Sequence, residues 1–237
     1  MKFKGYIFDM DGTLIDNGRY HILAWQEFAK RHGKTVNGQD ILDWMGMTGD
    51  VYNERILGRK LTPEEQRELG EEKESLYRDI YRPHMRLPEG LLEFLERIRA
   101  SGGKCALATG GPQTNADFIL DGLKIREHFS AVISAGMYQR SKPDPECFQL
   151  AASLIGVAPK NCVVFEDGLP GIRAGKAAGM KVVAVTFTHP RERLLAVGAD
   201  CVISGYVGVD EKLKVFGMND KDQVVRLTEM DATSDNE

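Results

Sequence analysis

The 237-residue chain predicts an α/β fold, a doubly wound parallel sheet with a small all-helical insert near its start. Three observations predict it. From Pro88 onward, short continuous apolar runs alternate with helix-spaced apolar stripes, the pattern of parallel strands buried on both faces. Between residues 15 and 84, apolar residues recur only at helical spacing, with no strand-like run. Several of the apolar runs stop abruptly at acidic or hydroxyl residues, and parallel sheets bind ligands at the carboxyl ends of their strands.

The elements follow in order. Tyr6, Ile7 and Phe8 form a short buried strand that ends at Asp9 and a glycine turn. Ile22, Trp25, Phe28 and Ala29 mark the first helix of the insert. The charged stretch 62–81 is a second helix, opened by Thr62, Pro63, Glu64 and Glu65 as cap and first turn. The insert, about 70 residues, is of ordinary domain size. Leu91, Leu92, Leu95 and Ile98 then form a helical stripe, followed by the run Cys105-Ala106-Leu107-Ala108. Phe118, Ile119 and Leu123 form a helix, and Ala131-Val132-Ile133 a strand. Phe148, Ala151, Leu154 and Ile155 form the next helix before Cys162-Val163-Val164-Phe165. A helix of small residues from about Gly171 to Ala178, the run Val182-Val183-Ala184-Val185 and the run from Ala199 to Ile203 close the series. The division expected is a discontinuous core, 1–14 plus 85–237, and an insert, 15–84. The polar end, 231–237, is expected to be disordered.

Composition narrows the function. A net charge of −4 argues against a dedicated nucleic-acid binder. No apolar run reaches the roughly 18 residues of a membrane span, and the apolar stretch near the start is too short for a signal peptide. A cytoplasmic monomer acting on a small molecule, without membrane or nucleic acid, is expected. Cys105, Cys147, Cys162 and Cys201 are widely spaced among apolar neighbours and read as reduced core residues.

The chemistry lies at the strand ends. Asp9 and Asp11 follow the first run, Thr109 the second, and Glu166 and Asp167 the run ending at Phe165. Lys142 stands in Ser141-Lys142-Pro143-Asp144-Pro145, just before a helix. Carboxylates gathered in one crevice repel unless a cation intervenes, and a hard divalent ion such as Mg2+ suits one or two carboxylates, waters and a phosphate. Lys142 adds a point charge, Thr109 a hydroxyl, and Gly110 and Gly111 let backbone N–H groups approach phosphate oxygens. Asp9 can attack phosphorus, and Asp11 can exchange the proton with the leaving group and then with water. Singly, each has a plain reading: turn formers for Asp9 and Asp11, a helix N-cap pair for Glu166 and Asp167, a solvated surface lysine for Lys142.

Together, FDMDGT, ALATGG, SKPDPECF and VVFEDGLPGIRAGKAAGM resemble the four motifs of the haloacid dehalogenase superfamily, in its order and spacing, over almost the whole chain to near Gly205. The resemblance is to the branch with a helical cap inserted after the first motif, which includes beta-phosphoglucomutase and fructose-1-phosphatase-like sugar phosphatases. It implies Asp9 as nucleophile and Asp11 as acid/base. It places Mg2+ on Asp9, the Asp11 carbonyl and Asp167 with support from Glu166, and the transferring phosphoryl group on Thr109 and Lys142. It places substrate contacts on the cap at Gly46 and Thr48, within the run from Met45 to Asp50, and at His21 and Lys73. The plain readings are a structural histidine for His21 and, within its charged stretch, a surface lysine for Lys73. Where the mutase carries an arginine for a second phosphate this chain has Gly49, and after the second motif it has Gly111 and Gln113. These departures favour a phosphatase of small phosphorylated metabolites over a phosphomutase. A non-enzymatic phosphoaspartate module is disfavoured, because such modules carry the acceptor in mid-sequence and lack a helical insert. Gly171 to Lys176 imitates a P-loop, but Pro170 holds the first glycine position and Ala177 follows the lysine.

Overall fold

The structure, a computed structural model, describes residues 3–44 and 49–215. Six strands form one sheet: β1 (Gly5–Phe8), β2 (Lys104–Ala108), β3 (Phe129–Ile133), β4 (Cys162–Glu166), β5 (Lys181–Val185) and β6 (Cys201–Ile203). Their order is β3-β2-β1-β4-β5-β6, with every pairing parallel. The first strand made is therefore central, and the order reverses beside it, where open α/β sheets form their ligand crevice.

Alternation along β1 divides the core. Tyr6 and Phe8 point to one face with Leu107, Phe165, Phe94 and Tyr206; Ile7 points to the other with Ala106, Val164, Phe148 and Ile172. Phe8 stacks on Phe165, its register partner on β4, at 4.6 Å between ring centres. The first face is covered by α5 (Leu91–Ala100) and α6 (Gln113–Gly122), the second by α7 (Glu146–Leu154) and α8 (Leu169–Ala177). α8 lies close because it is built of small residues. A Cβ on Gly175 would fall 2.7 Å from Val182 Cγ2, so the spacing of helix and sheet depends on its absence.

Between β1 and β2 run α1 (Gly18–Arg31), α2 (Gly38–Asp43), α3 (Gly49–Leu57) and α4 (Pro63–Tyr81), with α1 packed along α4. Trp25, Phe28 and Ala29 are buried as their spacing predicts, and Ile22 is only half-buried. α4 begins with a full capping box: Glu65 N–H donates to Thr62 Oγ1 (3.2 Å) and Thr62 N–H to Glu65 Oε2 (2.8 Å). Two short helices, α9 (Arg191–Ala196) and α10 (Val209–Val215), complete the fold.

The last strand is shorter than its apolar run suggests. Ala199 and Asp200 stay outside it, and Asp200 takes Val182 N–H, Lys176 and Lys181 onto its carboxylate. All four cysteines are free and buried. Among the described residues no helix is long and apolar enough to cross a membrane. The polar end, 231–237, lies outside the described residues. Gly175→Val is expected to destabilise the protein by about 1–3 kcal/mol through overpacking against Val182, read from denaturant midpoints at an unchanged slope.

Candidate active site

The loop after β1 is wound tightly. Gly12 N–H donates to Ile15 O and to Asn17 Oδ1, while Leu14 and Ile15 N–H turn back to Asp9 O and Met10 O. Gly12 has φ +76°, and a Cβ there would sit 2.2 Å from Asp167 Oδ2. Glycine thus lets the β1 loop press against the end of β4. On the other side of β4, a Cβ on Gly171 would overlap Glu166 Oε1 at 1.6 Å, so the first turn of α8 also opens room for a carboxylate.

These close approaches bring the expected groups together. Lys142 Nζ donates to Asp9 Oδ1 (2.5 Å), Glu166 Oε1 (2.8 Å) and Ala108 O (3.3 Å). Asp9 is 8% exposed and Glu166 3%. Glu166 Oε2 accepts from Gly168 N–H, so both its oxygens are engaged. Asp167 accepts from Thr13 Oγ1 (2.9 Å) on one oxygen and from Thr188 Oγ1 (2.5 Å) on the other. Thr109, buried at the end of β2, accepts Gly111 N–H on its hydroxyl (2.9 Å). A Cβ on Gly111 would lie 3.7 Å from Asp11 Oδ2; Gly110 is exposed beside it.

Burial drives the electrostatics. It pushes the Asp9 carboxyl well above the usual carboxylate range against the pull of Lys142, with Glu166 and Asp167 pushing the same way. Burial, then Glu166, lifts Asp167 to about 7 despite the two threonine hydroxyls. Burial works against the Lys142 ammonium, yet Asp9 and Glu166 hold its pKa well above the ordinary lysine value. Asp11 moves oppositely: burial raises it, but the His21 ring, the Asn17 amide and the Lys73 charge hold it below its ordinary value.

Asp11 is one of the points where the helical insert touches the core. Its Oδ1 accepts from Asn17 Nδ2 (2.6 Å) and faces His21 Nε2 (3.3 Å). His21 stacks on Tyr77 at 3.9 Å, and its Nδ1 lies 2.9 Å from Lys73 Nζ. An ammonium only donates, so Nδ1 accepts and the ring proton on Nε2 points at Asp11. Lys73 is not the surface lysine its charged stretch suggests. It is 4% exposed, bonded to Glu74 Oε1 (2.8 Å) and 5.0 Å from the Trp25 ring centre. Gly46 and Thr48 lie outside the described residues.

A cavity of about 610 Å³ opens above Asp11, Gly12 and Asp167, with His21, Trp25, Tyr52 and Lys73 on the insert side and Phe187 and Thr188 on the core side. Gly49 also lines it and contributes no side chain. Asn17, Thr188 and Glu74 belong to the site without belonging to any reading of the sequence, and Thr13 entered only as the last residue of FDMDGT, with no role given to it. Thr13 and Thr188 carry a usable signal, since both lie just beyond the ends of apolar runs.

Among the described residues, no three or more His, Cys, Asp and Glu side chains form a ready-made metal cage. The donor set is nevertheless all oxygen. Asp9 and Asp167 are buried carboxyls whose ionised forms are disfavoured by burial and by Glu166. Such a pair fits a hard cation that keeps most of its waters. Glu166, with both oxygens taken, is placed to support that pair.

Comparison with known proteins identifies the family. A model of haloacid dehalogenase-like hydrolases matches residues 3–179. Fructose-1-phosphate phosphatase YqaB of Escherichia coli is 31% identical, covering 78% of this chain and 97% of its own length. Beta-phosphoglucomutase of Bacillus subtilis is 32% identical, covering 84% of this chain and 88% of its own length.

The solved structures agree. A family IA hydrolase of the same type from Entamoeba histolytica superposes with a TM-score of 0.82 at 26% identity, covering 86% of this chain and 94% of its own. A beta-phosphoglucomutase from Clostridium difficile superposes at 0.75 with 27% identity, covering 86% and 92%. With three strand-end motifs and the Lys142 loop converging on one crevice and a family model spanning most of the chain, this protein belongs to the haloacid dehalogenase-like hydrolases.

Proposed function

We propose that the protein is a magnesium-dependent phosphatase of a small sugar phosphate or similar phosphometabolite, working through an aspartyl-phosphate on Asp9. The observation that carries this reading is the Asp9 carboxylate, buried at a strand end and held by Lys142 with Asp11 nearby across the Gly111 turn. Asp9 attacks phosphorus as the ester P–O bond breaks, and Asp11 gives its proton to the departing alkoxide. Water then attacks the phosphorus, Asp11 takes the proton back, and phosphate and free Asp9 are released. In the ligand-free protein Asp11 is held ionised. An arriving phosphate dianion, as a like charge, raises its proton affinity and favours the acid form needed first.

Asp9, the Asp11 carbonyl and Asp167 are the groups proposed to hold Mg2+, with Glu166 in support. The bound ion supplies positive charge that keeps the carboxylates ionised and offsets their repulsion of the phosphate. Lys142 and Thr109 bind the transferring phosphoryl oxygens. The insert, 15–84, serves as a cap over the core, 1–14 plus 85–237, and excludes water when closed.

Hydrolysis is favoured over phosphomutase action by the cavity wall. A mutase must hold a second, non-transferred phosphate, yet Gly49 offers no side chain, Lys73 is already neutralised by Glu74, and the Arg19 guanidinium on the lining is drawn onto Tyr20, its Nη2 donating to the Tyr20 hydroxyl (2.6 Å). Gln113 is turned away as well, bonded to Ser134 and Asp117. The curated relatives carry both activities in their names, so the wall, and not the catalytic floor, is where the two readings part.

Three outcomes are expected. Asp9→Asn lowers turnover by at least about a thousandfold, measured as phosphate release under saturating substrate. In a panel of sugar phosphates, free phosphate appears from more than one substrate, and beta-glucose 1-phosphate is not converted to glucose 6-phosphate. Mg2+ raises the thermal midpoint more at about pH 8 than at about pH 6, because protons compete for the same oxygens. The sign follows from Asp167, whose folded pKa of about 7 exceeds the ordinary value of 3.8. The folded state then binds the extra proton between those values, so metal-free stability falls as pH rises through that window.

A further inference from the structure

A second polar chain joins insert and core away from the metal and phosphate groups. On α4, Glu74 and Arg78 stand one turn apart and face α6 together. Between them lies Asn115, on the first turn of α6 and 1% exposed. Its Nδ2 donates to Glu74 Oε2 (2.7 Å), and its Oδ1 accepts from Arg78 Nη1 (2.8 Å). Arg78 Nη1 also reaches Thr114 Oγ1 (3.2 Å), and Nη2 reaches Glu71 Oε1 (2.5 Å). An amide carries a donor and an acceptor, so it satisfies the carboxylate and the guanidinium at once. Aspartate would set two carboxylates face to face, and leucine would strand both partners.

The chain continues to the chemistry. The other Glu74 oxygen takes Lys73 Nζ (2.8 Å), Lys73 reaches His21 Nδ1 (2.9 Å), and His21 Nε2 faces Asp11 (3.3 Å). The path thus leaves the core at α6, crosses α4 and α1, and re-enters the core at Asp11. It is complete only with the insert seated on the core. Unseating it takes both partners, Glu74 and Arg78, away from the Asn115 amide.

We propose that Asn115 and Glu74 are positioning residues that couple seating of the insert to the orientation of Asp11, so that proton donation is available only with the site closed. This rests on the phosphatase reading above. Asn115 touches neither the phosphate groups nor Asp11; it acts through Glu74, Lys73 and His21.

The test compares Asn115→Asp, Glu74→Gln and the double variant on two substrates. One is the sugar phosphate that wild type turns over fastest, whose alkoxide needs a proton to leave. The other is p-nitrophenyl phosphate, whose phenolate leaves without one. Asn115→Asp is expected to lower kcat/KM, which reports phosphoryl transfer to Asp9 and not the shared hydrolysis step, at least about tenfold on the sugar phosphate and less than about threefold on p-nitrophenyl phosphate, since general-acid assistance is worth about 10²–10⁴. The double variant restores the pairing with donor and acceptor exchanged. The amide introduced by Glu74→Gln can donate to the carboxylate introduced by Asn115→Asp and still accept from Lys73. It is expected to recover the sugar-phosphate kcat/KM to within about threefold of wild type. Equal losses on both substrates, no loss, or no recovery in the double variant would overturn the coupling while leaving the phosphatase reading in place. Wild type inert toward both substrates would overturn that reading and the coupling with it.

Discussion

Three acidic side chains are buried at the carboxyl ends of neighbouring strands, and a single ammonium lies between two of them. Two unit charges about 4 Å apart at an effective dielectric near 20 interact by about 4 kcal/mol, so such a cluster cannot be left unbalanced. Lys142 bonds Asp9 and Glu166 together, while Thr13 and Thr188 hold Asp167. Much of the nearby chain accommodates this. Gly12 and Gly171 have no Cβ because a carboxylate occupies that space, and β1 sits centrally because its end must meet the end of β4.

The helical insert continues the same balance of charge. Its polar residues near Asp11 form pairs, Lys73 with Glu74 and His21 with Asp11, while the aromatic side chains of Trp25 and Tyr52 line the cavity. Lys73 is buried because Glu74 and the face of Trp25 together replace its hydration. A ligand entering the cavity therefore meets a wall on which Lys73 is matched by Glu74 and His21 faces Asp11, above a floor in which two carboxyls are held back from ionising.

The strands were legible because parallel sheets bury both faces and leave continuous apolar runs; the placement of Asp9, Thr109 and Glu166 at their ends follows from that alone. Lys142 was legible only through its motif, since one lysine before a helix says nothing of where its ammonium points. Lys73 runs against its neighbours, because helical spacing in a charged stretch does not reveal which turn faces inward. Asn115 left no mark: an asparagine early in a helix reads as a cap, and its role depends on two residues of α4 that come some forty positions earlier. Asp200 explains the short β6, because its carboxylate takes the Val182 N–H from outside the strand.

The central place of β1 also shapes how the molecule is made. Gly5–Phe8 emerges first, but its neighbours are β2, which follows the whole helical insert, and β4, later still. Until both arrive, the strand that ends at Asp9 has two open edges, while the insert, whose α1 and α4 pack on one another, can already take shape. Synthesis thus builds the helical wall of the cavity before its acidic floor, and the newborn chain carries a sticky apolar segment that only long-range pairing conceals.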